Sequence, residues 1–194
     1  MTSASGNGGS QPGSQPGSED EIIRLLSDPA VFGPVDRVET HVSLVFLGPR
    51  RVYKLKRAVT FPYLDFSTPE KRRLACEAEI RINRRTAPSI YLGVVAITRQ
   101  ANGTLALDGD GEAVDWVVEM ERFDEHTLFD RLARKGDLDR AMMEDLADAI
   151  ADFHHMAESR TDGGGNGIAM IIDSNAECFA GGEQGILDQA EAET

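Results

Sequence analysis

Val52-Tyr53-Lys54-Leu55-Lys56, read together with the segment 67–85 that follows it, decides the fold of this chain. Residues 41–47 (His-Val-Ser-Leu-Val-Phe-Leu) are β-branched and aromatic, Gly48-Pro49-Arg50-Arg51 interrupts them as a turn, and residues 52–57 resume the extended pattern. The two runs predict a β-hairpin. Side chains alternate across a strand, so Val52, Lys54 and Lys56 share one face while Tyr53 and Leu55 share the other. The apolar pair Tyr53/Leu55 goes to the core, which turns the lysines toward a cleft or toward solvent. The spacing then predicts a helix over 67–85. Ser67 or Thr68 suits the N-cap, Pro69 the first turn, and Ser67 with Glu70 has capping-box spacing. Leu74, Ala75, Ala78 and Ile82 fall on one face, the face expected to pack on the sheet. Glu79 lies at its edge, about 80° from the centre at 100° per residue, whereas Glu77 points to water. Glu79 is therefore the expected partner of a strand lysine.

A strand lysine held by a glutamate on the next helix is the protein-kinase arrangement, in which the acid orients the ammonium toward the α- and β-phosphates of ATP. The alternative is a surface lysine and an unrelated helix acid, a pairing that contributes little. Residues 116–120 (Trp-Val-Val-Glu-Met) read as a buried strand that runs through Met120-Glu121-Arg122-Phe123 into a helix at 128–133. Strand, short polar link and helix follow in the order of the kinase hinge, whose backbone bonds the adenine edge. On the run His41-Val-Ser…Val-Tyr-Lys-Leu-Lys, Leu64-Asp65-Phe66-Ser67-Thr68, Glu79…Asn83-Arg84-Arg85, Ala87-Pro88 and Tyr91-Leu92-Gly93-Val94-Val95, the chain resembles the aminoglycoside-phosphotransferase-like family of bacterial proteins. More narrowly, it resembles the branch often fused to a P-loop ATPase domain. The resemblance covers roughly residues 35–175, too long and too ordered a run for a chance motif match.

The resemblance implies an α+β fold: a protein-kinase-like N-lobe over 20–119, with about five antiparallel strands and one crossing helix, a hinge at 120–124, and the first helices of a helical C-lobe over 125–180. It implies ATP as the ligand, bound by Lys54 and Glu79, by the turn residues His41 and Ser43 over the phosphates, and by Met120, Glu121, Arg122 and Phe123 at the hinge. The chemistry implied is transfer of the γ-phosphate to a hydroxyl of a small-molecule acceptor whose identity the sequence does not give. Mg²⁺ is expected with ATP in the full-length family. The family's catalytic loop, His-Gly-Asp-Leu-His, and its later Mg²⁺-binding aspartate lie downstream of a region like 168–175, so no catalytic and no metal-ligating residue is assigned here. Lys135-Gly136-Asp137-Leu138-Asp139 resembles that loop but comes too soon after the hinge and reads as a connector. The expectation is thus the nucleotide-gripping half of a kinase-like phosphotransferase, inactive alone. The alternative is a non-catalytic, pseudokinase-like module that binds nucleotide or partners, through self-association or an exposed face of its C-lobe helix.

The net charge of −13 hides an asymmetry. Residues 50–85 carry eleven of the 20 Lys/Arg and four acids, a local +7 that leaves −20 on the remainder. So acidic a chain is a poor general nucleic-acid binder. Arg72, Arg73, Arg81 and Arg84 are expected to face water, with only Lys54 working on phosphate. Two cysteines, Cys76 and Cys178, have no metal-type spacing and read as reduced thiols of a cytoplasmic protein. No run of 18 or more apolar residues predicts a membrane span.

Residues 1–19 (Gly/Ser/Gln/Pro) read as a disordered leader, with too few apolar groups to offset ordering entropy. A helix is predicted at 19–27 on Ile22, Ile23, Leu25 and Leu26, a strand at 90–98, and a hairpin turn at Asn102-Gly103. A strong helix over 139–157 puts Met143, Leu146, Ala147, Ile150, Ala151 and His154 on a stripe expected to be buried. His154 and His155 point about 100° apart and cannot serve one site. Gly163-Gly-Gly-Asn-Gly167 lacks the Lys-Ser/Thr of a phosphate loop and reads as a plain loop, and 181–194 as an acidic tail.

Overall fold

The hairpin forms as its alternation requires. Strand β2 (Ser43–Leu47) pairs antiparallel with β3 (Arg51–Lys56), setting Ser43 opposite Lys56, Val45 opposite Lys54 and Leu47 opposite Val52. The computed structural model describes residues 18–159, 161 and 163–181. Before the hairpin come α1 (Glu19–Leu26), α2 (Pro29–Phe32) and β1 (Asp36–Glu39); after it come β4 (Thr60–Phe61), β5 (Leu64–Asp65), α3 (Pro69–Asn83), β6 (Tyr91–Arg99), β7 (Leu105–Leu107) and β8 (Glu112–Glu121). A 3-10 turn at Glu125–Thr127 leads into α4 (Phe129–Lys135), α5 (Arg140–His155) and α6 (Gly164–Gly181).

The result is a mixed α+β fold around an antiparallel sheet of six strands, ordered β1-β2-β3-β8-β6-β7, with β4 and β5 as a separate small hairpin. About five strands were expected. The extra one is β1, an edge strand whose four residues, Asp-Arg-Val-Glu, are all exposed and so carry no apolar alternation to betray it. Two compact units divide the chain, one through Glu144 and one from Asp145. Among the described residues no helix is long and apolar enough to cross a membrane.

One face of the sheet carries the larger core. Leu44, Phe46, Leu55, Ile97, Val114 and Val117 pack with Ile22 and Leu26 of α1, all essentially sealed from water. Each such side chain contributes roughly 1.5–3 kcal/mol by leaving water. Helix α1 is held at its start by a capping box between Ser18 and Glu21, so Ser18 and Glu19 belong to the fold and not to the leader expected over 1–19. Residues 1–17 and 182–194, which hold the rest of the leader and nearly all of the tail, lie outside the described residues.

The opposite face receives α3, where Cys76 and Ile80 pack on Val118 beside Tyr91, Val94, Trp116 and Met120. This is not the face that apolar periodicity selected. Leu74 and Ile82 are more than half exposed, and the side turned to the sheet carries Arg72, Cys76 and Ile80, a rotation of roughly 140° at 100° per residue. The cause is partner availability. Arg72, expected in water, is 5% exposed and meets the equally buried Asp115 of β8, so a charged residue found its counter-ion inside. Arg73 reaches Glu70 and Glu77 on the helix surface. Thr68, not Ser67, caps α3 by accepting from the Lys71 amide, because the Ser67 hydroxyl and amide both donate to Asp65.

Two further expectations are corrected beyond the sheet. The α5 stripe is not buried: Met143, Leu146 and Ile150 are all exposed. The glycine run is not a loop. Gly163, at φ 76°, sets the start, and Gly164, Gly165 and Gly167 lie within α6. Lys135-Gly136-Asp137 does connect α4 to α5, with Gly136 at φ 78° closing α4 in the left-handed conformation that glycine adopts without penalty.

Candidate functional site

Strand alternation places Lys54 and Lys56 side by side on the α3 face of β3, and the rotation of α3 brings Glu79 between them. Lys54 Nζ donates to Glu79 Oε1 at 2.9 Å and Lys56 Nζ to Oε2 at 2.6 Å. The Lys54–Glu79 contact is the one that helix spacing selected over Glu77, which is exposed and paired with Arg73. Lys56 was expected to face a cleft or solvent, yet its side chain is 7% exposed, and the Phe66 ring lies 5.3 Å from its ammonium. The Glu79 side chain is 12% exposed. Burial alone works to raise its pKa, but the hydrogen bonds and charges of Lys54 and Lys56 outweigh that and hold it below the usual glutamate value.

That direction fixes a pH dependence. A carboxylate whose folded pKa is lowered contributes stability above its unfolded pKa, about 4.3 for glutamate, and the contribution is lost as pH falls through the lower folded value. In urea titrations the wild type should therefore exceed Glu79→Gln most above about pH 5. The gap should close as the solution is taken below pH 4. A gap that persists unchanged in acid would contradict the ionised trio.

A cleft of about 340 Å³ opens on the same face of the sheet. Val38, Val45, Leu47 and Val52 form one wall, and Met120, Glu121, Arg122 and Phe123 run along its edge, with Leu128 beyond. Val45 is the cross-strand partner of Lys54, and Val52 sits two residues from Lys54 on the same face, so the cleft lies on the side of the sheet that carries Lys54, although Lys54 does not line it. Its size is within the range of small-molecule sites. Glu125 joins Arg122, at 3.0 Å, and Arg131, at 2.8 Å, at the rim. Met120 and Glu121 still belong to β8, so the expected link at 120–124 begins inside the strand. The Glu121 and Arg122 amides donate to Ile90 and Arg50, while the Phe123 amide has no partner among the described residues. A larger cavity, about 500 Å³, lies on the other face among Leu26, Phe32, Phe46 and Tyr53. Alternation turns those groups away from the lysines, so the smaller cleft is the one with chemistry beside it.

The turn residues fare differently. Ser43 was expected to offer its hydroxyl and amide to phosphate. Its residue is 2% exposed and its amide donates to Thr40 Oγ1, so the turn closes on itself and leaves neither group on offer. His41 is exposed and packs edge-on against Phe61 at 5.8 Å. Among the described residues no three His, Cys, Asp or Glu side chains gather as a metal-holding group. The sequence reading missed Lys56 as a second partner of Glu79, although its position two residues after Lys54 already placed it on the same face. It also missed the Arg122–Glu125–Arg131 rim, for which no spacing rule gives a signal.

No family model matches the chain, and no solved structure matches it. It is similar to uncharacterized proteins of Mycobacterium tuberculosis and Mycobacterium bovis, each 29% identical over 124 residues that cover 64% of this chain and 23% of theirs. The chain thus spans about a quarter of the length of the curated relatives it matches.

Proposed function

We propose that the chain is the nucleotide-binding portion of a kinase-like phosphotransferase of the aminoglycoside-phosphotransferase type, gripping ATP so that its γ-phosphate can pass to a hydroxyl of a small molecule. The observation that carries this reading is a cleft edged by residues 120–123 on the same face of the sheet as Lys54, whose cross-strand neighbour Val45 lines it and whose ammonium Glu79 already holds. In this reading the base lies against Val38, Val45, Val52 and Met120, and the Phe123 amide is a donor toward its edge. The phosphates extend along β3 to Lys54, whose cation stabilises their charge. An antiparallel sheet crossed by α3, with the lysine on one and the acid on the other, supports a kinase-like N-lobe. The reading assigns nucleotide grip to this chain and assigns it no general base, acceptor contact or Mg²⁺ ligand.

Calorimetric titration of the chain with ATP and Mg²⁺ tests it. The expected result is saturable binding of one nucleotide, weakened on Lys54→Ala. No saturable heat up to about 1 mM ATP, the upper end of ordinary substrate affinities, would remove the reading.

A second reading, a partner-binding module without catalysis, is favoured by one observation: Met143, Leu146 and Ile150 recur at helical spacing on α5 and are exposed. Size-exclusion chromatography separates the two. A monomer that binds ATP supports the first, and an oligomer indifferent to ATP supports the second.

A further inference from the structure

We propose that Lys56 is the resident counter-ion of Glu79 and Lys54 the exchangeable one, so that a phosphate-bearing ligand can draw Lys54 toward itself while Glu79 keeps its charge. The proposal rests on the nucleotide reading for the identity of the ligand, and on the geometry of two lysines sharing one carboxylate for the rest.

The two ammonium groups are not equivalent. Lys56 is 7% exposed against 29% for Lys54, makes the shorter contact (2.6 against 2.9 Å), and is covered by the Phe66 ring. Its cross-strand neighbour is the sealed Ser43, whereas the neighbour of Lys54 is Val45, which lines the cleft. Lys54 is therefore the more exposed of the two and the one whose strand neighbour lines the cleft, and Lys56 is neither. A single lysine on Glu79 could not be lent without cost. Its departure would leave a nearly buried carboxylate unpaired, which is strongly unfavourable, or force that carboxylate to take up a proton. With Lys56 in place the trio carries a net +1, enough to attract an anion, and the acid remains compensated when Lys54 turns away.

The groups around Glu79 do not supply a substitute. From β6 comes Tyr91, whose pKa burial pushes upward, and from α3 itself Cys76, pushed up to about 12 by burial, so both stay neutral near pH 7. Asn83 bonds the Glu79 backbone carbonyl and not its carboxylate. Asp115 of β8 is engaged with Arg72. Lys56 is the buried cation left to hold the second oxygen.

The test is a carboxyl ¹³C titration of the ligand-free chain, with the Glu79 signal assigned by its loss in Glu79→Gln. In Lys54→Met the Glu79 midpoint should stay below the ordinary glutamate value of about 4.3. In Lys56→Met, which leaves only the more exposed Lys54 on the carboxylate, it should lie higher than in Lys54→Met. Lys56→Arg keeps the charge and should keep the midpoint low, which separates loss of charge from loss of packing. Equal shifts in the two methionine variants, or the reverse order, overturn the proposal. A second measurement uses MgATP at pH 7 in two buffers of different ionisation heat. Lys56→Met should take up more protons per bound nucleotide than the wild type, the nucleotide's own proton cancelling in the comparison, and equal uptake again overturns the proposal. If no variant and no wild type binds MgATP, the nucleotide reading falls, and the carboxyl order alone decides for or against Lys56.

Discussion

Asp115→Ala is expected to lower the unfolding free energy by about 3–5 kcal/mol, a large part of what a domain of this size possesses. Arg72 Nε donates to Asp115 Oδ1 at 2.9 Å and Nη2 to Oδ2 at 2.7 Å, while Nη1 donates to the Phe66 carbonyl at 2.8 Å. Asp115 Oδ1 also accepts from the Trp116 amide at 2.8 Å. Both residues are at most 5% exposed. Truncating the acid leaves a guanidinium sealed between α3 and β8 with one carbonyl for company, and the cost is that of a buried uncompensated charge. The pair itself contributes far less than its rupture costs, because bringing two ions out of water offsets most of their attraction. The double replacement Arg72→Met with Asp115→Leu should therefore recover most of the loss. Urea unfolding followed by the fluorescence of Trp116, the single tryptophan, measures both, provided the denaturant slope is unchanged. A double variant as unstable as the single one would show that shape, and not charge, governs this contact. The pair also reaches the candidate site. It fixes the Phe66 carbonyl, and the Phe66 ring covers Lys56.

What the sequence disclosed, and what it concealed, follows from the same contact. The hairpin was legible because β-branched and aromatic residues alternate through 41–57 around a Gly-Pro turn, and a strand's period of two leaves little choice of face. Glu79 was chosen over Glu77 by its angle to an apolar face of α3 that is not the one turned to the sheet, and the choice holds because Glu79 is also the nearer of the two to the observed face. Apolar periodicity assumes that charged residues go to water, and here Arg72 and Glu79 face inward because Asp115, Lys54 and Lys56 wait for them across 43, 25 and 23 residues of chain. Nothing local announces such partners. The same assumption hid β1, whose side chains are polar and exposed, and the short hairpin of β4 and β5, too brief for alternation to register. On α5 the error ran the other way. Met143, Leu146 and Ile150 satisfy the rule for a buried stripe and are exposed. Periodicity reports that a helix has an apolar face and is silent on whether anything covers it.

Lys54→Ala is expected to weaken MgATP binding by about 10- to 100-fold, the worth of a hydrogen bond to a charged group. Calorimetry reads the affinity, and the controls give the number its meaning. Residues 50–85 carry a net +7, so a polyphosphate would be attracted to this stretch whether or not a site existed there. Long-range attraction depends on total charge, and under it every basic residue removed should cost a similar small amount that vanishes with salt. A site predicts the opposite. Lys71, paired with Asp65 at the surface, and Arg81, exposed on α3, should be replaceable by alanine with less than about a twofold change. Glu79→Gln should lie between, because it leaves the Lys54 ammonium present but unheld, and orientation rather than charge is what the acid supplies. The ligand-free stability should show the converse order. Lys54→Ala leaves Glu79 with the buried Lys56 and should be mild, whereas Lys56→Ala removes the more buried cation and leaves Glu79 only the partly exposed Lys54. A residue that matters much for binding and little for folding, two positions from one that matters much for folding, is a pattern that charge density cannot produce and a lysine lent to a ligand can.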